Sequence, residues 1–187
     1  MDHYIDIHLL PDPEFPVGLL MNALFGKLHR ALVQLDSSTI GVSFPRARNG
    51  AAGLGDCLRL HGSLVALNDL LTLPWLTGMR DHMRLNEVMP VPSSTQHTKV
   101  RRVQVDSNSE RLRRRAMKRH GLTEAQARER IPDSAEKRLR LPYLQLRSQS
   151  TGQPFLLFIE QGPLQQEPSV GTFNTYGLSQ GATVPVF

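Results

Sequence analysis

Residues Tyr4–Phe44, YIDIHLLPDPEFPVGLLMNALFGKLHRALVQLDSSTIGVSF, set two strand patterns around one long helical pattern. Tyr4–Leu10 alternates apolar and polar side chains, the period of a half-buried strand. In Phe15–Leu35, taken at 100° per residue, Leu20, Ala31, Leu24, Leu35, Leu28, Met21, Leu32 and Phe25 fall on one arc, wide enough for a helix to bury against a sheet. Thr39–Phe44 returns as a short strand. Outward from this unit, a Gly-rich loop leads to a strand at Cys57–Leu60, then a helix at Leu64–Leu71, a break at Pro74–Gly78 and a strand at Met83–Val91. Strand, helix, strand, strand, helix, strand is the ferredoxin-like βαββαβ pattern, a sheet with helices on one face. That scaffold carries many unrelated functions, so the fold alone assigns none. The aromatic motif of its commonest RNA-binding version is absent.

Pro90–Gln96, PVPSSTQ, reads as a connector, which divides the chain into a ferredoxin-like scaffold, residues 1–94, and a C-terminal α+β domain, residues 95–187. Charge divides in nearly the same place. Residues 1–98 hold seven Lys or Arg against nine Asp or Glu, and residues 99–187 hold fifteen against eight, so a net +5 conceals −2 followed by +7. The binding surface for a polyanion is therefore expected in the second half. Within it, Lys99–His120, KVRRVQVDSNSERLRRRAMKRH, has nine basic residues and only Asp106 and Glu110 as acids. A start signal at Ser107–Ser109 and a stop at Gly121 predict a helix on which Arg114, Lys118, Arg111, Arg115 and Arg119 share one arc, away from Leu112, Ala116 and Met117. A solvated face normally mixes signs, and no acid lies between Arg111 and His120, which points to nucleic acid.

Lys99–Val105 alternates as a strand that projects Arg102 and Gln104 from one face. Arg can hold guanine and Gln adenine by bidentate contacts; the other reading makes them the polar side of a half-buried strand. Thr123 and Gln126 form a capping-box signature for a further helix that ends before Pro132, and Arg128, Arg130, Lys137, Arg138 and Arg140 keep the region positive. Tyr143–Arg147 and Phe155–Ile159 read as strands around the turn SQSTGQ at Ser148–Gln153. The tail is expected to hold a strand around Tyr176, a Ser-Gln-Gly turn and a final apolar strand.

At 187 residues the chain can bury a substantial core. No apolar run approaches membrane-spanning length, and Asp2, His3, Asp6 and His8 are unlike a signal peptide, so a soluble, cytoplasmic protein is expected. The single cysteine, Cys57, forms no internal disulfide and no Cys-based zinc site, and is read as core. Gly-x-Ser-x-Gly, phosphate-loop and His-Glu-x-x-His signatures are missing, as is a tight carboxylate cluster, so no metal or cofactor is expected. An enzyme built from this chain works with histidine, hydroxyls and cations. That set suits RNA, whose own 2′-hydroxyl can be the nucleophile given a base, an oriented ribose and charge stabilisation. His29 sits just past the Phe25 edge of the helical arc, where partial burial suits a neutral base. On sequence position alone the better reading is a boundary histidine that packs on Phe25, and His3, His8, His61, His82, His97 and His120 have similar claims.

Taken together, Arg102-x-Gln104, ERLRRRAMKRH at Glu110–His120, IPD at Ile131–Asp133, LRSQSTGQ at Leu146–Gln153 and the Tyr176-Gly-Leu-Ser tail resemble the subtype I-F CRISPR repeat endoribonucleases. The opening MDHY, FGKLH ending at His29 and GVSFP at Gly41–Pro45 also match, and only Arg46–Asp56 shows little likeness. The resemblance implies metal-independent cleavage of the repeat stem-loop in precursor CRISPR RNA, with His29 acting on the attacking 2′-hydroxyl. Ser148 would position that ribose, with Ser150 in the same loop and Tyr176 near the histidine. Arg102 and Gln104 would read base pairs at the foot of the stem, and Phe155 would stack on the terminal pair. Arg115, Arg119 and His120, with Arg114 and Lys118, would lie on the helix set into the major groove of the RNA hairpin, to which the helical arc adds Arg111; Lys118 stands where family members often carry Arg. It also implies retention of the mature guide RNA and association with other subunits of a surveillance complex. Two other classes stay open on sequence: an RNA hairpin-binding module without catalysis, and a DNA-binding regulator, against which stands the absence of a helix-turn-helix pair before the basic helix.

Overall fold

The computed structural model describes residues 1–47, 53–93, 95–104, 109–132, 140–148 and 150–187, without the side chains of 109–111. The fold is α+β. In chain order the elements are β1 (His3–Leu9), α1 (Val17–Gln34), β2 (Gly41–Ser43), β3 (Cys57–Gly62), α2 (Leu64–Thr72), β4 (Met83–Leu85), β5 (Met89–Pro90), β6 (Gln96–Thr98) and β7 (Val100–Val103). There follow α3 (Ser109–His120), α4 (Glu124–Arg130), β8 (Tyr143–Arg147), β9 (Pro154–Gln161), β10 (Thr172–Phe173), β11 (Ser179–Gln180) and β12 (Val184–Val186). Among the described residues no helix is long and apolar enough to cross a membrane.

The first sheet has the order β2-β3-β1-β4, with every pair antiparallel. The expected strand Met83–Val91 is broken in two. Ile7 faces Leu85 and Leu9 faces Met83, but His3 faces Pro90 and Tyr4 faces Met89, so one extra residue is taken up between the two short strands. That is a bulge, which an alternating sequence does not announce. α1 buries Leu20, Met21, Leu24, Phe25, Leu28, Ala31 and Leu32. At ~1.5–3 kcal/mol for each large apolar side chain, this arc outweighs the missing side-chain cap at Pro16.

The two faces of the sheet differ chemically. Ile5, Ile7, Leu58 and Leu60 point into the apolar core. On the opposite face Asp6 stands directly across from Arg59 and binds it through Nε to Oδ1 at 2.7 Å and Nη2 to Oδ2 at 2.8 Å, both residues being buried. The guanidinium packs against the rings of Tyr4 and Phe187, 4.6 and 4.1 Å from their centroids, which meet each other edge to face at 4.8 Å, and it also donates to the Phe187 carbonyl. The tail therefore roofs this face. β12 pairs with β6, and a Cβ on Gly41 would lie 2.7 Å from both Phe173 and Val184, so the backbone of β2 meets the tail without an intervening side chain.

These contacts explain the division of the chain. Residues 1–103 and 141–187 form one compact unit and 104–140 a second. This grouping differs from the boundary expected at 94/95, because Gln96 of the Pro- and Ser-rich connector begins β6 and the tail packs on β2. The first unit also holds the sheet β7-β9-β8. In the second, the Thr123–Gln126 capping box is present, and Gly121 ends α3 with φ +63° while donating its N–H to the Met117 carbonyl at 2.9 Å. Ser107 of the expected start signal, and Lys137 and Arg138, lie outside the described residues.

His61 is fully buried, with Nε2 2.8 Å from Ser43 Oγ. Burial, and secondarily the Arg59 charge, push its pKa down to about 3. The folded value lies below that of an unfolded histidine, so the unfolded chain binds the extra proton and stability falls as pH drops below ~6.5. Urea unfolding should lose about 2 kcal/mol from this group between pH 7 and 5, and His61→Gln should flatten the slope. An unchanged slope in the variant would show that His61 does not couple folding to pH.

Candidate active site and nucleic-acid interface

His29 lies on α1 at the margin of the buried arc and is half-buried. Its Nδ1 is 2.8 Å from the Thr175 carbonyl. A carbonyl only accepts, so Nδ1 must carry the proton, and in the neutral ring Nε2 is then left with its lone pair available. The Tyr176 ring stacks on the imidazole at 3.8 Å between centroids and 7° between planes, and is itself stacked on Phe25 at 6.3 Å. The ring covering the histidine is thus Tyr176, and Phe25 backs the tyrosine.

Tyr176 is not in the strand expected around it. It lies in a tight turn between β10 and β11, and Ser179–Gln180, expected as a turn, is the strand β11. Asn174 overrides the local β-pattern: its Oδ1 accepts from Tyr176 N–H at 2.9 Å and Leu178 N–H at 3.1 Å, while Gly177 N–H donates to the Asn174 carbonyl. Phe173 N–H donates to the Ser38 carbonyl and Val42 N–H to that of Gly177, anchoring the turn beside the end of α1. Burial raises the Tyr176 phenol pKa against the opposing charge of Arg102, which keeps it protonated at neutral pH.

A cleft of about 510 Å³ opens beside this pair, lined by one face of α1, the end of β8, Phe155 and Tyr176. His29, Tyr176 and Phe155 share it. Arg102 is exposed on β7, with its Cζ 6.0 Å from the Phe155 centroid, at the outer limit of a cation–π contact. Ser148 is not among the lining residues but follows Arg147, which is. Its Oγ is 3.2 Å from Ser150 Oγ and accepts from Thr151 N–H, and its carbonyl accepts from Gly152 N–H, so the β8–β9 turn closes on itself around that hydroxyl. Gln149 in that turn lies outside the described residues. Sequence reasoning missed Asn22, Lys27, Arg30 and Arg147, which also line the cleft. Spacing along α1 puts Asn22 and His29 seven residues apart on one face, a signal that was available.

The second unit carries the cationic helix. On α3, Arg114, Arg115, Lys118, Arg119 and His120 are exposed, whereas Leu112, Arg113, Ala116 and Met117 are half-buried. Arg113 Nε donates to the Ile131 carbonyl at 2.8 Å, tying α3 to the end of α4. Arg115, Lys118, Arg119 and His120 border an open groove with Leu112, Ala116 and Ile131. The side chain of Arg111, and Asp133 of the IPD motif, are outside the described residues. β7 ends at Val103, so Gln104, exposed, follows the strand instead of continuing it. Arg128 is ion-paired to Glu124 one helical turn earlier, at 2.9 Å.

Asp6, His8 and Cys57 have potential ligand atoms within 4.8 Å of one another. Asp6 is already held by both arms of Arg59, and burial pushes the Cys57 thiol up to about 11, so the group is better suited to an ion pair than to a metal. Gly177, at φ +69°, offers a test of the histidine clamp, since a Cβ there would lie 2.6 Å from Val42 Cγ1. Gly177→Ala should cost ~1–3 kcal/mol and move the His29 ring protons downfield in NMR spectra as Tyr176 shielding is lost. Unchanged shifts would show that the turn does not hold the stack.

The arrangement invites comparison with known proteins. Residues 4–187 match the family model described as CRISPR-associated protein (Cas_Csy4). The chain is 54% identical over 187 residues to the CRISPR-associated endonuclease Cas6/Csy4 of Pseudomonas aeruginosa (strain UCBPP-PA14), covering all of both chains. It is 48% identical, again over the whole of both chains, to the CRISPR-associated endonuclease Cas6/Csy4 of Escherichia coli (strain UTI89 / UPEC). With residues 4–187 matched by the family model and both relatives aligned over their whole length, the chain belongs to the Cas_Csy4 family of CRISPR-associated proteins.

Proposed function

We propose that the protein is a metal-independent endoribonuclease that binds the repeat stem-loop of precursor CRISPR RNA and cuts it at the 3′ base of the stem. The observation that carries this reading is the Thr175 carbonyl on His29 Nδ1, which leaves Nε2 as a base on a residue that lines a cleft with Lys27, Arg30 and Arg147. The two relatives, both CRISPR-associated endonucleases by name, support it.

His29 Nε2 takes the proton of the 2′-hydroxyl just upstream of the cut. The freed 2′-oxygen attacks phosphorus, the bond to the 5′-oxygen breaks, and that oxygen takes a proton from solvent water as it leaves, the proton held on His29 returning to solvent afterwards. The products are a 2′,3′-cyclic phosphate and a 5′-hydroxyl. Ser148, with Ser150, orients the ribose, and neutral Tyr176 holds the imidazole plane; positioning of this kind is a large share of what such a site can contribute. Arg102 and Gln104 read the basal pairs and Phe155 stacks on the last of them, which sets the register of the cut. Arg111, Arg114, Arg115, Lys118, Arg119 and His120 contact phosphates along the stem. The enzyme then stays on the mature guide RNA, in the cytoplasm, with other protein subunits of a surveillance complex.

Incubation with a short repeat hairpin tests the reading. His29→Ala should abolish cleavage while hairpin affinity changes less than about 3-fold, because the stem supplies most contacts. Arg115→Ala or Arg119→Ala should weaken binding and flatten its salt dependence by about one phosphate contact each. Arg128→Ala, whose charge is already paired, should do neither. Retained cleavage in His29→Ala, or equal effects of all three arginines, would contradict the reading.

A further inference from the structure

The Thr175 carbonyl that meets His29 Nδ1 at 2.8 Å shares a peptide unit with the Tyr176 N–H. A trans peptide is planar, with its C=O and N–H pointing in opposite directions. Whatever takes the Tyr176 N–H therefore aims the Thr175 carbonyl. That group is Asn174 Oδ1, at 2.9 Å. The same atom accepts from Leu178 N–H at 3.1 Å, and two donors facing it fix it as the oxygen end of the amide. The turn itself is closed by other bonds: Gly177 N–H donates to the Asn174 carbonyl at 2.8 Å, and Asn174 N–H to the Leu178 carbonyl at 2.9 Å. In a four-residue turn closed in this way the central peptide can stand in either of two orientations, related by turning its plane over. Closure does not choose between them, and the Asn174 side chain does.

The choice is felt at the imidazole. In the orientation present, His29 meets an acceptor and carries its proton on Nδ1. With the peptide turned over it would meet the Tyr176 N–H, Nδ1 would have to accept, and the proton of the neutral ring would sit on Nε2. That form would also set the Thr175 carbonyl against Asn174 Oδ1, two acceptors facing each other, and would need a positive φ at Tyr176. Among the described residues Asp36 is the only non-glycine residue with one. We infer that Asn174 is a positioning residue for the reaction: by holding the Tyr176 N–H it keeps His29 in the tautomer whose Nε2 lone pair is free. The inference rests on the proposed function, in which that lone pair is the base.

The test uses the full chain with isotope-labelled histidine, whose long-range proton–nitrogen NMR spectra report which ring nitrogen carries the proton. In the wild type His29 should carry it on Nδ1. In Asn174→Ala, and in Asn174→Gln, whose oxygen stands one carbon farther out, the ring should pass to a mixture of tautomers. Single-turnover cleavage of the repeat hairpin should then slow at least about 10-fold, while hairpin Kd stays within about 3-fold because the stem supplies most contacts. Asn174→Asp keeps an acceptor for both N–H groups, so it should restore the tautomer and, on the pH-independent plateau of the rate, bring cleavage to within about 3-fold of the wild type. An unchanged tautomer in Asn174→Ala and Asn174→Gln, or slow cleavage in Asn174→Asp, would overturn the inference. So would loss of hairpin binding in both neutral variants, which would make Asn174 a folding residue. If the wild type cuts the hairpin and the tautomer does not move, the assignment of Asn174 fails and the proposed function stands. If the tautomer moves and the cleavage rate does not, His29 is not the base and both fail.

Discussion

The hydrogen bond from His29 Nδ1 to the Thr175 carbonyl is the constraint on which the site depends. A histidine on a helix margin can adopt either tautomer and rotate about its side-chain bonds, and a single carbonyl 2.8 Å away removes both freedoms at once. Tyr176, stacked on the ring, removes what tilt is left. Neither group belongs to the helix that carries the histidine. Both come from a turn 146 residues later, so this setting of the histidine is assembled only when the tail has docked.

Docking of the tail is in turn a property of the first sheet. Its helix-facing side is ordinary apolar packing, but its other side carries Asp6, Arg59 and His61, of which Asp6 and Arg59 pair with each other and His61 meets Ser43 through Nε2. Phe187 closes over Arg59, β12 pairs with β6, and the approach of Phe173 and Val184 to Gly41 sets the level of the tail on β2. From there the Asn174 turn can lie only where Thr175 reaches α1. Stability and the setting of His29 are thereby coupled through one layer of contacts: a defect in the roof is expected at His29 as well. The second unit has a different logic, in which α3 leaves its cations exposed and uses Arg113 and its half-buried side chains toward α4.

Much of this was legible in sequence where one local rule acted alone. The α1 arc, the Thr123–Gln126 capping box and the Gly121 stop each follow from side-chain period or cap chemistry within a few residues. Features that depend on partners distant in sequence were not. The bulge between β4 and β5 is a matter of register against β1, and β6 became a strand because β12 pairs with it. Tyr176 read as a strand residue until the Asn174 side chain claimed its N–H. His29 stood level with six other histidines in chemistry, and family motifs separated it from them; in space the separation is made by Thr175 and Tyr176. Arg30 and Arg147 drew no attention because neither belongs to a run of charge, and only the fold brings them to one groove.

The central claim is that His29 acts on a hydroxyl supplied by the RNA itself. It is tested most directly by a time course in chelator comparing an all-ribose repeat hairpin with one carrying a single 2′-deoxy nucleotide just upstream of the cut. The account predicts that the ribose hairpin is cut to a 2′,3′-cyclic phosphate and a 5′-hydroxyl, while the deoxy hairpin binds with nearly the same affinity and stays intact. Cleavage of the deoxy hairpin, or activity only on addition of a divalent metal, would mean that activated water is the nucleophile and would contradict it.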